Sequence, residues 1–134
     1  MTLVDSNVLL DVVTGDPLWA AWSLAQLEAA GLRGRLVIND VVFAEVSVRF
    51  GTLEALLAVL GEARITRRAM PEGALFSAGK AFAAYRARGG VRTSVLPDFF
   101  IGAHAAVERL PVLTRDARRF RGYFPGVEVI APER

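Results

Sequence analysis

Cysteine is absent from the 134 residues. That excludes disulfides, thiolate metal sites and thiol nucleophiles, and it suits a reducing cytoplasm, the expected compartment. Histidine occurs once, at His104, which argues against a dedicated zinc site. Lysine also occurs once, at Lys80, so fifteen of the 16 basic residues are arginine. No apolar run is long enough to span a bilayer, because charges interrupt every candidate, and no membrane partner is expected. The N-terminus lacks a basic segment followed by an apolar one, so no signal peptide is expected. Linkers, internal repeats and low-complexity segments are missing too, and residues 1–134 are expected to form a single domain.

Apolar residues are plentiful: 53% of the chain is hydrophobic and the mean hydropathy is +0.36, which points to a packed core rather than disorder. The formal net charge of +2 conceals an asymmetry. Residues 1–62 hold three arginines against eight acids, a net of −5, whereas residues 63–134 hold 13 bases against six acids, a net of +7. The planar fork of arginine suits phosphate and carboxylate, so the basic half is compatible with nucleic acid or an acidic partner. A genome rich in GC, which favours Arg over Lys, explains the same bias without any partner.

Short apolar segments alternate with helical patterns. Residues 2–5 read as a strand. A helical pattern runs from Ser6, breaks at Gly15-Asp16-Pro17 and resumes to Ala30. Residues 35–38 are a second strand, after which Asn39 or Asp40 is placed to cap a helix carrying Val42, Phe43, Val46 and Phe50. Thr52 restarts a helix, and residues 64–66 suit a short strand. Pro71 opens a long helix to Arg88, which Gly89-Gly90 ends. A loop over 91–96 precedes a helix from Pro97 to Arg109. Residues 112–114 form a strand, 116–120 a helical turn and 127–130 a last strand. The alternation predicts an α/β fold with a central parallel sheet flanked by helices.

Four acids fall at matching places in this scheme. Asp5 sits where the first strand ends, and Asp116 just past the strand 112–114. In an open α/β sheet ligands bind outside the carboxyl ends of the strands. Glu45 interrupts the apolar stretch DVVFAEVSV in the helix after the second strand. Asp98 opens its helix among Leu96, Phe99, Phe100 and Ile101. Helices in such a fold start at that same edge, so all four acids can converge. Each also has a purely structural reading: Asp5, Asp98 and Asp116 as helix-start acids, and Glu45 as an i+4 partner of Arg49.

Two carboxylates about 5 Å apart repel by roughly 3 kcal/mol at an effective dielectric near 20. A cluster of four therefore needs raised pKa values or a cation. Oxygen-only donors select a hard ion, best Mg²⁺ or Mn²⁺, which can activate water and stabilise charge on a phosphodiester. Gly102, one turn beyond Asp98, is expected to leave space beside that carboxylate.

The motifs DSN at 5–7, AEV at 44–46, LPDFFIGAHA at 96–105, VLTRDARRF at 112–120 and YFPGVEVIAP at 123–132 resemble the PIN-domain ribonucleases, most closely the VapC-type toxins of toxin–antitoxin pairs. The resemblance spans nearly the whole chain and is weakest over residues 51–92. It implies a PIN-like three-layer fold and Mg²⁺- or Mn²⁺-dependent endoribonuclease activity. By motif it assigns Asp5, Glu45, Asp98 and Asp116 to the acidic site, with Asp5 and Asp98 as the most direct metal ligands and Asn7 and Thr114 as supporting polar residues. It further implies a cognate VapB-type antitoxin whose C-terminal segment fills the acidic groove, and a homodimer. Trp19, Trp22 and the 52–60 helix offer apolar surface for either contact, although both tryptophans also suit a core, Trp22 more so.

Arg115, Arg118 and Arg119 closely follow the last acid and are candidate contacts to RNA phosphates, against a plain reading as a solvated basic turn. His104 lies six residues after Asp98, hence on another face of the helix, and reads as a packed histidine rather than a general base. Asp11 is expected to be peripheral. Two other functions compete with the nuclease. One is a non-catalytic PIN-like binding module. The other is a haloacid-dehalogenase-like phosphatase, which also places Asp at the end of its first strand. It requires a second Asp two residues on, where Asn7 stands, and a well-placed lysine, whereas Lys80 falls inside an amphipathic helix.

Overall fold

The structure, a computed structural model, describes residues 1–92 and 95–132. The described residues form, in chain order, β1 (Thr2–Val4), α1 (Ser6–Thr14), α2 (Ala20–Arg33), β2 (Leu36–Ile38), α3 (Asp40–Ser47), α4 (Leu53–Glu62), β3 (Ile65–Arg67), α5 (Glu72–Ala87), α6 (Leu96–Glu108), β4 (Val112–Leu113), α7 (Arg118–Arg121) and β5 (Val129–Ile130). The loop expected over 91–96 falls partly on residues 93 and 94, outside the described set, and its last residue already belongs to α6.

The strands pair in the order β3-β2-β1-β4-β5, all parallel. Leu3 stands opposite Val37 on one side and Val112 on the other. Helices cover both faces of the sheet, which is why Leu3, Val4, Val37, Ile38, Val112 and Leu113 are all buried and the strands read as unbroken apolar runs. From β1 the chain moves outward through β2 to β3, then returns to β4 and β5 on the opposite side. The winding reverses between β1 and β4, and a crevice opens beyond their carboxyl ends.

Local chemistry explains the helix limits. Asn39 Oδ1 accepts the Val42 N–H at 2.9 Å and starts α3, and Thr52 Oγ1 accepts the Ala55 N–H at 3.1 Å and starts α4. Asn39 rather than Asp40 is thus the cap, and Asp40 instead pairs with Arg67 at 2.5 Å. Gly15, at φ +64°, ends α1 in the left-handed conformation that glycine adopts without strain.

A second apolar cluster joins α5 to α6. Ala78, Phe99, Ala103 and Phe124 form its buried centre, with Phe82, Tyr85 and Tyr123 packed around them. Phe99 meets Tyr123 edge-on at 5.0 Å between ring centroids. This cluster anchors the first turn of α6, where Asp98 sits. It also corrects the expectation for Gly102: a Cβ there would lie 2.3 Å from Cδ2 of Phe124, so the glycine admits an aromatic ring rather than leaving space by the carboxylate.

Asp11, expected to be peripheral to the acids, is buried: it accepts a hydrogen bond from Ser23 Oγ at 2.8 Å and pairs with Arg115 Nε at 3.2 Å, bracing α1 against α2 and the segment after β4. Trp22 packs partly buried against the main core, and Trp19 meets it edge-on at 6.0 Å.

Candidate active site

Asp5 leaves β1 as the residue before α1 and is fully buried. It occupies the N-cap position with extended dihedrals, yet its carboxylate caps nothing. Its backbone N–H is held by the Leu113 carbonyl at 2.8 Å, so the neighbouring strand fixes where the side chain starts. The side chain turns into the crevice, where Thr114 Oγ1 donates to Oδ2 at 2.7 Å. That hydroxyl also accepts from Asn7 Nδ2 at 3.3 Å and from the Asp116 N–H at 3.1 Å. Its one proton and both lone pairs are therefore used, and its proton can only point at Asp5. Asn7 Oδ1 accepts the Arg115 N–H at 3.3 Å, which ties the end of β4 to α1.

Glu45 reaches the site from α3. Ser6 Oγ donates to Glu45 Oε1 at 3.0 Å and lies 3.5 Å from Asp5 Oδ1, so one hydroxyl spans the two acids. Glu45 thus turns to Ser6, and among the described residues it forms no pair with Arg49. Asp98, in the first turn of α6, closes the group from the other side. The Arg119 guanidinium lies between them: Nη1 donates to Asp5 Oδ2 at 2.8 Å and Nη2 donates to Asp98 Oδ1.

The electrostatics follow from this crowding. Burial pushes the Asp5 carboxyl above its ordinary range, and the charge of Asp98 adds to that, against the opposing pull of Arg119 and Thr114. Burial likewise raises Glu45, with Asp5 and Asp98 adding to it and Ser6 and Arg119 opposing. Burial alone would lower Arg119, but Asp98, Asp5 and Glu45 outweigh it and hold the guanidinium charged.

Asp116 is placed differently. Its side chain is about one-third exposed, and Oδ1 accepts both the backbone N–H and Nε of Arg118 at 3.2 Å. Its burial would raise it, but these bonds win and its carboxyl lies below the usual range. The structure therefore brings Asp5 and Asp98 onto one cation, links Glu45 to Asp5 through Ser6, and sets Asp116 at the rim. A cavity of about 450 Å³ there is lined by both Asp98 and Asp116, together with Arg92, Arg118, Arg119, Tyr85 and Tyr123. A second, of about 510 Å³, is lined by Arg115, Asp116, Arg118 and Arg121. Asp116 and Arg118 border both.

Among the described residues, no three carboxylates or imidazoles stand close enough to enclose a metal ion. The donor chemistry nevertheless fits a hard divalent cation: the donors are oxygens only, they repel one another, and they already gather around a positive charge.

The arginine run resolves into three separate environments. Arg118 is largely exposed on the cavity rim. Arg115 is tied to Asp11 and sits 5.7 Å from the Trp19 ring centroid. Arg119, a candidate phosphate contact by sequence, points inward to Asp5 and Asp98. Nothing in the sequence distinguishes it from Arg118, and only the docking of α7 against α6 decides which one enters. Ser6 was visible only as a helix-start residue; its position beside Asp5 was the available signal.

His104 is fully buried, as the helix spacing implies. Asn39 uses Oδ1 for its cap, so its Nδ2 faces His104 Nδ1 at 3.3 Å as donor. The neutral ring therefore carries its proton on Nε2, which faces Glu108 at 3.4 Å. The histidine braces α6 against the start of α3, the two helices that carry Asp98 and Glu45.

A PIN domain family model matches residues 2–123. The chain belongs to the PIN domain family. Solved structures share its fold over nearly the full length. VapBC2 from Rickettsia felis bound to a promoter DNA fragment is similar with a TM-score of 0.73 at 16% identity, covering 98% of each chain. A toxin–antitoxin complex from Klebsiella pneumoniae gives 0.71 at 22%, covering 99% of this chain and 98% of that one. FitAcB from Neisseria gonorrhoeae gives 0.65 at 20%, covering 98% of each. No curated protein sequence matches the chain.

Proposed function

We propose that this chain is a metal-dependent endoribonuclease of the VapC type, the toxin of a type II toxin–antitoxin pair, acting as one PIN domain in the cytoplasm. The observation that carries this reading is the gathering of Asp5, Glu45 and Asp98 at the switch point of a PIN-family sheet, with Asp116 beside them on a basic cavity. The similarity to VapBC2 and to the Klebsiella pneumoniae toxin–antitoxin complex supports the biological setting.

In this reading Asp5 and Asp98 would hold Mg²⁺ or Mn²⁺ most directly, with Glu45 and Asp116 completing the set. When bound, the ion would supply Lewis acidity, lowering the pKa of water and stabilising charge on the phosphodiester. The chain's own residues set the geometry. Thr114 and Asn7 fix the orientation of Asp5. Ser6 keeps Glu45 on the site. Asp116, held ionised by Arg118, lines the cavity. Arg118 and Arg115 contact backbone phosphates, which position RNA without specifying sequence. A VapB-type antitoxin would cover this acidic crevice, and a second copy of the chain would complete a homodimer.

The test is cleavage of total cellular RNA by purified, antitoxin-free protein with Mg²⁺, Mn²⁺ or EDTA, alongside Asp98→Asn. Discrete fragments that need metal and vanish in the variant are expected. Their absence in folded protein, with RNA or a protein still bound, would favour the binding-module reading. Turnover of a generic phosphomonoester, lost in Asp5→Asn, would favour a phosphatase.

A further inference from the structure

We infer that Arg119 is a built-in counter-cation that a divalent ion must displace, so that this side chain sets the metal affinity of the site. The inference rests on reading the carboxylates as a metal site. Among the described residues, Arg119 is the only cation paired with Asp5 or Asp98. Asp5 Oδ2 already accepts two hydrogen bonds, from Thr114 Oγ1 at 2.7 Å and Arg119 Nη1 at 2.8 Å. A carboxylate oxygen has two lone pairs, and Thr114 has no other acceptor for its proton, so coordination through Oδ2 requires Arg119 to leave. Asp98 Oδ1 is engaged by the same fork.

The guanidinium has somewhere to go. Its side chain is about one-fifth exposed and lines the 450 Å³ cavity beside Tyr85, Tyr123 and Arg118. The backbone need not follow, because the neighbouring Phe120 is fully buried and anchors α7. Displacement thus exchanges one cation for another on the carboxylates. It also delivers the freed arginine to the cavity where a nucleic-acid phosphate would lie. A site occupied by its own arginine for all but a tenth to a hundredth of the time binds metal about 10–100-fold more weakly than its intrinsic affinity.

Calorimetric titration of metal-free full-length protein with Mn²⁺ tests this without any activity readout. Arg119→Gln is expected to bind Mn²⁺ about tenfold or more tightly than the wild type. It is also expected to melt lower in EDTA and to gain more thermal stability on adding Mn²⁺. Arg119→Lys keeps a charge but cannot fork across two carboxylates, so it should fall between the two; it carries the test if Arg119→Gln fails to fold without metal. Asp98→Asn should abolish binding. Equal or weaker Mn²⁺ binding in Arg119→Gln and Arg119→Lys, with Asp98→Asn still inactive in binding, would overturn the displacement while leaving the metal site intact. No binding in any folded variant would overturn the metal site itself.

Discussion

Asp5 shows how a single residue separates two readings that its sequence position leaves open. It occupies an N-cap position, and a capping carboxylate would have been an ordinary helix start. The carboxylate instead forgoes the cap and takes Thr114 and Arg119. Asp116 goes the other way in part, because it does accept the N–H two residues on. Thr114→Val removes the hydroxyl that aims Asp5 and should lower metal affinity and cleavage by about 10–100-fold, the usual scale for partners of metal ligands; Mn²⁺ titration and initial rates check it. His104 gives a pH prediction away from the acids. Burial holds it below its ordinary 6.5, so the unfolded chain takes up that proton first as pH falls. Its contribution to stability is complete above 6.5 and is lost as pH drops through the folded value. Denaturation midpoints of wild type should fall more steeply from about pH 7 to about pH 5 than those of His104→Gln.

The order of strands and helices was legible at the level of elements, because buried parallel strands leave short apolar runs and the caps Asn39 and Thr52 mark helix starts. The ends of the strands were less so. Thr114 falls in an expected strand but follows β4, placed to serve Asp5; Val127 likewise falls in an expected strand but closes a turn onto Phe124, its nitrogen 3.1 Å from the carbonyl oxygen. Contacts between elements were not legible at all. No pattern along the chain shows that Gly102 faces Phe124, that Asp11 is buried, or that Arg119 turns inward, since each depends on how distant segments dock. Gly102→Ala forces a Cβ into the Phe124 ring and should cost about 1–3 kcal/mol in chemical denaturation. Adding Phe124→Leu should recover part of the loss if the clash is the cause, since contacting residues couple.

For the whole molecule, the switch point between β1 and β4 decides where the acids meet, and the charge asymmetry decides what can approach them. The acidic first half supplies Asp5 and Glu45, while the basic second half supplies Asp98, Asp116 and most of the arginines. RNA binding by Asp98→Asn should weaken steeply with salt, and Arg118→Ala should flatten that slope by about one phosphate contact in fluorescence anisotropy. The most direct measurement compares RNA cleavage by wild type and Asp5→Asn across a Mn²⁺ titration, with EDTA as the zero point. Cleavage that rises with Mn²⁺ in the wild type and falls by more than about a hundredfold in the folded variant is the predicted result. Cleavage that persists in EDTA, or survives in Asp5→Asn, would contradict a carboxylate-held metal as the source of activity.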